Sequence, residues 1–194
     1  MSSEKPLPKL SHWLDVYPSL IIPGLHNSDG RHWQSLWQSH LPNSKRVELS
    51  NWDKADLAKW KAGIIQQLNK LTQPAVLIAH SFGALASVSI AAEFPEKVAA
   101  LFLVAPADPD KFGIRRQLPL SSLSVPAKLI ASSNDPWLTE SKAAYFALQW
   151  GADFLRLKNV GHINSESNLG VWPEGLWELQ QLIRQAKRRE RSVA

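Results

Sequence analysis

Short runs of apolar residues alternate with longer amphipathic segments along most of the chain. The apolar runs predict six strands, at 17–22, 45–49, 75–79, 98–104, 127–131 and 153–157. Helix-like segments lie between and after them, near 30–40, 54–71, 82–94, 139–150 and 174–190. In the second of these, apolar residues recur three and four positions apart, as on one face of a helix: Leu57, Trp60, Ile64, Leu68 and Leu71. Strands that alternate with helices predict a parallel sheet with helices on both faces.

Two of the apolar runs, 75–79 and 98–104, contain no polar residue, which is typical of central strands buried on both faces. The segment between 105 and 126 interrupts the alternation and is rich in proline and serine. It is too short for a cap domain, so we expect a short helix or a flap there. The predicted fold class is α/β, with about six mostly parallel strands, flanking helices and no large cap.

Length and composition indicate one globular domain over residues 1–194, with residues 1–12 loosely ordered. The formal net charge is +5, but residues 184–191 account for most of the excess. These basic residues continue the apolar pattern of the last helix, so we interpret 184–194 as a basic helix end or tail. No aromatic residues lie among these charges, and we expect no nucleic-acid partner.

The chain contains no cysteine, which excludes disulfides, a cysteine nucleophile and thiolate metal sites. Residues 1–6 lack the apolar stretch of a secretory signal, and no apolar run approaches the length of a membrane span. We therefore expect a cytoplasmic protein that has no membrane partner.

The segment 79–83, Ala-His-Ser-Phe-Gly, lies where the third strand meets the third helix. A serine in such a tight turn has a strained backbone, and its neighbours at 79 and 83 must be small. The turn presents the Ser81 hydroxyl at a helix N-terminus, which favours a developing negative charge. A five-residue pattern of this kind also occurs by chance. Here a predicted strand precedes it and an Ala-rich segment follows it, and this context indicates a nucleophile elbow.

A serine nucleophile needs an imidazole as base and a carboxylate that orients the imidazole. In folds with this elbow the two partners follow the serine in the order acid, then histidine. His162 is the one histidine after Ser81 and lies just beyond the sixth strand. For the acid we favour Asp135, beyond the fifth strand, and Asp108 or Asp110, beyond the fourth, is the alternative.

Acyl transfer through a tetrahedral intermediate also needs backbone N–H donors for its oxyanion. One donor is expected at Phe82, directly after the nucleophile, and the other in the loop after the first strand. In that loop Gly24 permits close approach of the backbone, and either Leu25 or His26 presents the N–H.

Other histidines and tryptophans have less direct interpretations. His80 is expected to pack at the end of its strand, and His32 to lie on the surface or in a helix. The spacing of His32 and His40 is poor for paired metal ligands, so we expect no metal site. Trp33 and Trp37, four residues apart on the first helix, are expected to pack in the core or to form subsite walls.

Several stretches between residues 23 and 175 combine into a wider pattern: 23–28, 32–37, 79–83, 134–136, 161–167 and 172–175. In this order they resemble the small serine hydrolases related to retinoblastoma-binding protein 9, a compact branch of the α/β-hydrolase superfamily. The resemblance implies a triad of Ser81, His162 and Asp135, no cofactor, and hydrolysis of esters or related acyl compounds.

Our hypothesis from the sequence is a serine hydrolase that cleaves small ester-type acyl substrates through an acyl-enzyme. Trp137, beside the acid, Trp172, beyond the histidine, and Asn27, in the loop after the first strand, are the substrate-binding candidates. The alternatives are an acyltransferase or peptidase with the same triad, or a non-catalytic binding protein of the same fold.

Overall fold

The computed structural model describes residues 17–41 and 43–193, so the expected loose order of residues 1–12 lies outside the described residues. The described residues contain six strands, β1 (Ser19–Ile22), β2 (Ser44–Arg46), β3 (Ala75–His80), β4 (Val98–Val104), β5 (Ala127–Ser132) and β6 (Asp153–Leu157). They also contain five α-helices, α1 (Trp33–His40), α2 (Leu57–Leu68), α3 (Phe82–Glu93), α4 (Glu140–Trp150) and α5 (Pro173–Val193). Single 3-10 turns lie at Pro95–Lys97, Arg115–Gln117 and Ser165–Ser167.

The six strands form one sheet in the order β2-β1-β3-β4-β5-β6, and every neighbouring pair is parallel. β3 and β4 lie at the centre, as their uniformly apolar sequences predict, and all of their residues are buried. The predicted α/β fold without a large cap is confirmed.

Alternate side chains of the strands enter two separate hydrophobic cores, one on each face of the sheet. Leu77 packs in the core under α2, α3 and α4, whereas the next residue, Ile78, packs in the core under α1 and α5. In α2, the side chains at the predicted spacing from Leu57 to Leu68 face the first core. α3 is buried around its whole circumference, because it lies on the sheet and α2 covers it.

Of the predicted strands, β2 differs most from the structure. β2 covers residues 44–46 instead of 45–49: the Val47 N–H makes the last bond to β1, at the carbonyl oxygen of Ile21 (3.0 Å), and its side chain packs against α2. Gly63 permits this approach: a Cβ there would lie 2.9 Å from Val47 Cγ1. The segment 105–126 forms loops and one 3-10 turn, and its Ile114 and Leu118 are buried in the first core.

The sheet brings the sequence motifs together at one edge. All strands are parallel, so the loops after β1, β3, β5 and β6 leave from the same side. The strand order changes direction between β1 and β3, and open α/β sheets bind ligands at such a point. No helix in the described part of the chain has the length and hydrophobicity to cross a membrane.

Candidate active site

The turn from β3 into α3 has the strained geometry of a nucleophile elbow. Ser81 has φ 53° and ψ −121°, an unfavourable backbone conformation for a residue with a Cβ. A Cβ at Gly83 would lie 2.4 Å from the carbonyl oxygen of Pro23 and 2.5 Å from that of Ile22. Position 83 is therefore restricted to glycine, because the end of β1 passes directly beside the first turn of α3.

The loop after β1 lies against the serine itself. A Cβ at Gly24 would lie 2.7 Å from Ser81 Cβ, so this position also requires glycine. Trp60 of α2 donates its indole N–H to the carbonyl oxygen of Pro23 (3.0 Å), and this hydrogen bond fixes the loop against α2. The backbone of residues 23–25 is thereby brought next to the Ser81 hydroxyl.

Three side chains from three loops form a continuous chain of hydrogen bonds. His162 Nε2 is 2.9 Å from Ser81 Oγ, and its Nδ1 is 3.0 and 2.9 Å from the two carboxylate oxygens of Asp135. Because a carboxylate only accepts, Nδ1 carries the proton and Nε2 accepts from the serine hydroxyl. The side chains of His162 and Asp135 are 10% and 2% exposed. This arrangement can deprotonate a serine.

The alternative acids are engaged elsewhere. Asp108 is buried, and its carboxylate accepts from Lys142 Nζ at 2.7 Å. Asp110 contacts the same ammonium group at 3.0 Å. Neither makes a hydrogen bond to His162, so of the three acids considered only Asp135 contacts the imidazole.

The backbone N–H groups expected at the oxyanion differ in availability. Phe82 is the first residue of α3, where a helix leaves its N–H groups unpaired. The His26 N–H donates to the carbonyl oxygen of Trp52 (3.0 Å), so it is not available to a substrate. Among the described residues none accepts the Leu25 N–H. Of the two amides expected in this loop, only that of Leu25 is therefore available to a substrate.

Two buried histidines adjoin His162. The ring of His80 is 4.8 Å from that of His162 and 4.8 Å from that of His32, measured between centroids. Burial lowers the pKa of His32 to about 4. Burial, with the adjacent His162, also lowers the pKa of His80 well below its usual value. Both rings are therefore neutral at pH 7.

His32 is not a surface residue but lies at the start of a helix, so one of the two locations expected for it is wrong. It is 4% exposed and is the N-cap of α1, where its Nδ1 accepts from the backbone N–H of Gln34 (3.1 Å). Histidine is not among the preferred N-cap residues, so the sequence contains no strong signal for this role.

A cleft of about 390 Å³ opens over Ser81. Its apolar lining comes from Leu25, Ala107, Phe112 and Trp137, and its polar lining includes Asn27, Asp29, Arg31, Asn164, Ser165 and Glu166. Two of the substrate-binding candidates, Trp137 and Asn27, thus face this cleft. A larger depression of about 610 Å³ lies beside β2. Of the residues that line the cleft over Ser81, only Asn27 also lines this depression.

Trp172 lies elsewhere and is withdrawn as a substrate-binding candidate. It is 3% exposed and packs in the second core, stacked on Trp37 with 5.8 Å between ring centroids. A Cβ at Gly175 would lie 2.3 Å from the Trp172 ring, so the first turn of α5 covers it. Its position in the sequence, after the loop that contains His162, does not predict that its side chain turns into the core.

The two tryptophans of α1 support the segment that contains His162. Both are buried, as expected, and both donate indole N–H groups to it. Trp33 donates to the carbonyl oxygen of Ile163 (2.8 Å), and Trp37 to that of Val171 (2.6 Å). The sequence predicts their burial, but nothing in their spacing predicts these hydrogen bonds across more than 100 residues.

Comparisons with known proteins agree with this architecture. The family model described as serine hydrolase matches residues 19–181. A protein described as a YdeN-like hydrolase from Pectobacterium atrosepticum is 37% identical to this chain, with a TM-score of 0.88, and the match covers 91% of this chain and 96% of that one. No curated protein sequence matches this chain.

Two more distant structures resemble the chain in fold alone. The ydeN gene product of B. subtilis is 18% identical, with a TM-score of 0.74 and coverage of 87% of this chain and 100% of that one. Est1E from Butyrivibrio proteoclasticus, solved with ferulic acid bound, is 14% identical, with a TM-score of 0.66 and coverage of 84% and 88%.

Proposed function

The chain belongs to the serine hydrolase family, and from this premise we propose that it is a carboxylic ester hydrolase for small acyl substrates. Ser81 is the nucleophile, His162 the general base and acid, and Asp135 the group that orients the imidazole. The observation that carries the proposal is the unbroken hydrogen-bond chain from Ser81 Oγ through His162 to Asp135. Within the family, the motifs at 134–136 and 161–167 support a place beside the hydrolases related to retinoblastoma-binding protein 9.

The reaction proceeds in two halves on the same residues. His162 Nε2 takes the proton of Ser81 as its oxygen attacks the ester carbonyl, and the tetrahedral intermediate forms. The imidazolium then protonates the leaving alcohol, and an acyl-enzyme remains on Ser81. Water, deprotonated by His162, attacks the acyl group, and the imidazolium returns this proton to Ser81 Oγ as the carboxylic acid leaves. Asp135 stabilises the imidazolium in both halves.

The oxyanion is bound by the backbone N–H groups of Phe82 and Leu25. Phe82 offers an unpaired amide at the N-terminus of α3, where the helix dipole also favours negative charge. Leu25 follows Gly24, which lies against Ser81, and its N–H has no acceptor in the described part of the chain. The N–H of His26 cannot serve, because it is bonded to Trp52.

The cleft lining supports a division of the substrate around Ser81. The leaving group must lie beside His162, which protonates it, and the ring of Trp137 is 6.2 Å from that imidazole. We therefore assign Trp137 to the leaving-group side. Phe112 packs on Phe82 at 5.1 Å, and with Leu25 it forms an apolar wall for the acyl group. A cleft of about 390 Å³ suits small acyl groups.

The test is labelling of the purified protein with a fluorophosphonate, followed by mass spectrometry to locate the adduct, and assays on short-chain esters. We expect an adduct on Ser81, and a loss of ester hydrolysis of roughly 10⁴-fold or more in Ser81→Ala and in His162→Ala.

The matched control is Ser89→Ala, which removes a buried hydroxyl from the C-terminal half of the same helix and is expected to label normally. Ester hydrolysis that survives in Ser81→Ala would overturn the proposal, and so would an adduct on another residue.

A further inference from the structure

Three side-chain oxygens of one loop bind three consecutive backbone amides of another. We call residues 132–136, the last residue of β5 and the turn after it, the acid loop, and residues 158–167, after β6, the histidine loop. The pairs are Ser133 Oγ with Asn159 N (3.0 Å), Ser132 Oγ with Val160 N (3.1 Å) and Asn134 Oδ1 with Gly161 N (2.8 Å). All three acceptors directly precede Asp135, and all three amides directly precede His162.

The sheet brings the two loops side by side. In the parallel pairing of β5 with β6, Ser132 is the register partner of Leu157, so both loops begin at the same level. The N–H of Ser133 donates to the carbonyl oxygen of Leu157 (2.9 Å), which continues the ladder by one more bond. Beyond that point the side chains of the acid loop replace the backbone as acceptors.

Asn134 joins the two proposed catalytic residues most directly. Its Oδ1 accepts both from Gly161 N and from the hydroxyl of Ser132, each at 2.8 Å. The Ser132 side chain is fully buried, so its hydroxyl has a fixed direction. One amide oxygen therefore joins the residue before Asp135 to the residue before His162.

Resting on the proposed function, we propose that Asn134, supported by Ser132, is a positioning residue that sets the separation between the Asp135 carboxylate and the His162 imidazole. Without the amide oxygen, two donors lose their acceptor, and the two loops are no longer joined next to the reacting groups. A displacement of about 1 Å in such a site lowers rates by roughly 100-fold.

The opposite side of His162 is held independently. His80 donates its Nε2–H to the carbonyl oxygen of His162 (2.9 Å), and Trp33 holds the next carbonyl. Loss of Asn134 should therefore move the histidine loop relative to Asp135 and leave its contact with β3 in place. The titratable or charged groups that adjoin the imidazole are Asp135, His80 and His32, and those that line the cleft around it are His26, Asp29, Arg31 and Glu166.

The test uses the rate of fluorophosphonate labelling of Ser81 as a function of pH, which requires no knowledge of the natural substrate. In Asn134→Ala we expect the maximal rate to fall roughly tenfold to 100-fold. The acid limb of the profile should move to lower pH, because a more distant carboxylate stabilises the protonated imidazole less.

Asn134→Asp is the conservative variant, because it keeps both accepted hydrogen bonds. We expect its maximal rate to stay close to that of the wild type. Its acid limb should move to higher pH, because the added negative charge favours the protonated imidazole. The two substitutions at one position are thus expected to shift the profile in opposite directions, which a general loss of structure would not do.

Ser132→Ala should lower the rate in the same way as Asn134→Ala, and Ser89→Ala, which removes a buried hydroxyl far from both loops, should not. Thermal unfolding of each variant shows whether it is folded. The positioning role is overturned if folded Asn134→Ala labels at the wild-type rate, or if its rate falls with no shift of the acid limb. A wild-type protein that takes no label at all overturns the proposed function itself, and the positioning role with it.

Discussion

The elbow around Ser81 and the histidine loop around His162 bring their residues to the same point by different physical means. The elbow is determined by backbone sterics. Gly83 leaves room in α3 for the carbonyl groups at the end of β1, and Gly24 lets the loop after β1 lie against Ser81. The histidine loop contains only one 3-10 turn and is held by hydrogen bonds from the acid loop, α1 and β3. The small residues that the elbow requires are visible at a few adjacent positions, although the carbonyls that Gly83 approaches belong to a distant part of the chain, whereas the hydrogen bonds of the histidine loop leave no such local signal.

The two regions also carry backbone strain in different ways. In the elbow the strain is concentrated at Ser81, between a strand and a helix that are both well packed. In the histidine loop three residues have positive φ, namely Asn159 (56°), Gly161 (62°) and Ile163 (49°). A β-branched residue rarely adopts such a φ, and the hydrogen bond from Trp33 to the Ile163 carbonyl compensates for it. The loop therefore depends on its surroundings more than the elbow does.

The largest effect is expected from a single methyl group in the elbow. In Gly83→Ala the new Cβ meets the backbone carbonyls of Ile22 and Pro23, which cannot move without displacing β1. We expect the free energy of unfolding to fall by about 3 kcal/mol and Ser81 labelling to be lost. Urea unfolding and fluorophosphonate labelling measure both. Gly30→Ala is the matched control, because nothing lies within 4 Å of a Cβ there; equal losses in both variants would refute the steric account.

A smaller effect is expected from one hydrogen bond to the histidine loop. Trp33→Phe keeps an aromatic ring in the core but leaves the carbonyl of Ile163 without its donor. We expect a loss of about 1–3 kcal/mol in the free energy of unfolding, and a labelling rate roughly tenfold lower because His162 is adjacent.

The matched control for this prediction is Trp150→Phe, which also removes an indole N–H, here bonded to the carbonyl of Pro119 in another part of the molecule. Its loss of stability should be smaller, because Gln149 Nε2 also donates to the Pro119 carbonyl (2.7 Å), and its labelling rate should be unchanged. If both variants label equally well, the hydrogen bond from Trp33 supports stability alone.

The last effect is spread over a range of pH and concerns His80 and His32, which lie next to His162 between the two regions. The pKa of each is lowered by burial, that of His32 to about 4. Below pH of about 6.5 the unfolded chain therefore takes up protons that the folded protein does not. We expect the free energy of unfolding to fall as the pH drops from 6.5 towards 4, by at most about 1.4 kcal/mol per pH unit for each histidine.

Urea unfolding between pH 7 and pH 4 measures this slope. His32→Asn retains an acceptor for the N-cap of α1 and should reduce the slope, because asparagine does not titrate. His40→Asn, at the exposed end of the same helix, is the matched control. A slope that is unchanged in His32→Asn would show that the buried imidazole does not contribute to it.

Much of the fold was predictable because its signals are local. The apolar runs at 75–79 and 98–104 predicted the central strands, and the apolar stripe of α2 predicted the face that is buried. The Ala-His-Ser-Phe-Gly segment predicted the strained turn, since its residues are contiguous and its steric demand is unusual. The assignment of catalytic roles to Ser81, His162 and Asp135 stays a prediction until the labelling is done.

The errors share one cause, which is that side-chain direction is decided by packing. Trp172 follows the histidine loop but turns into the core under α5, and His32 is buried as the N-cap of α1. The choice between two amides depends on packing as well: the His26 N–H donates to the carbonyl of Trp52, a distant residue in the chain, whereas the Leu25 N–H has no acceptor among the described residues. None of these directions is encoded in the spacing of neighbouring residues.

The sequence by itself therefore determined the strands and helices, the parallel class of the sheet and the elbow. The hydrophobic period and the small residues around Ser81 are signals that a few neighbouring residues carry. Only the tertiary structure decided which acid contacts His162, which amide near Ser81 is free, and how Asn134 and Trp33 hold the histidine loop. Those relations are hydrogen bonds between loops that meet at one edge of the sheet, and a hydrogen bond is specified by distance and direction in space rather than by separation along the chain.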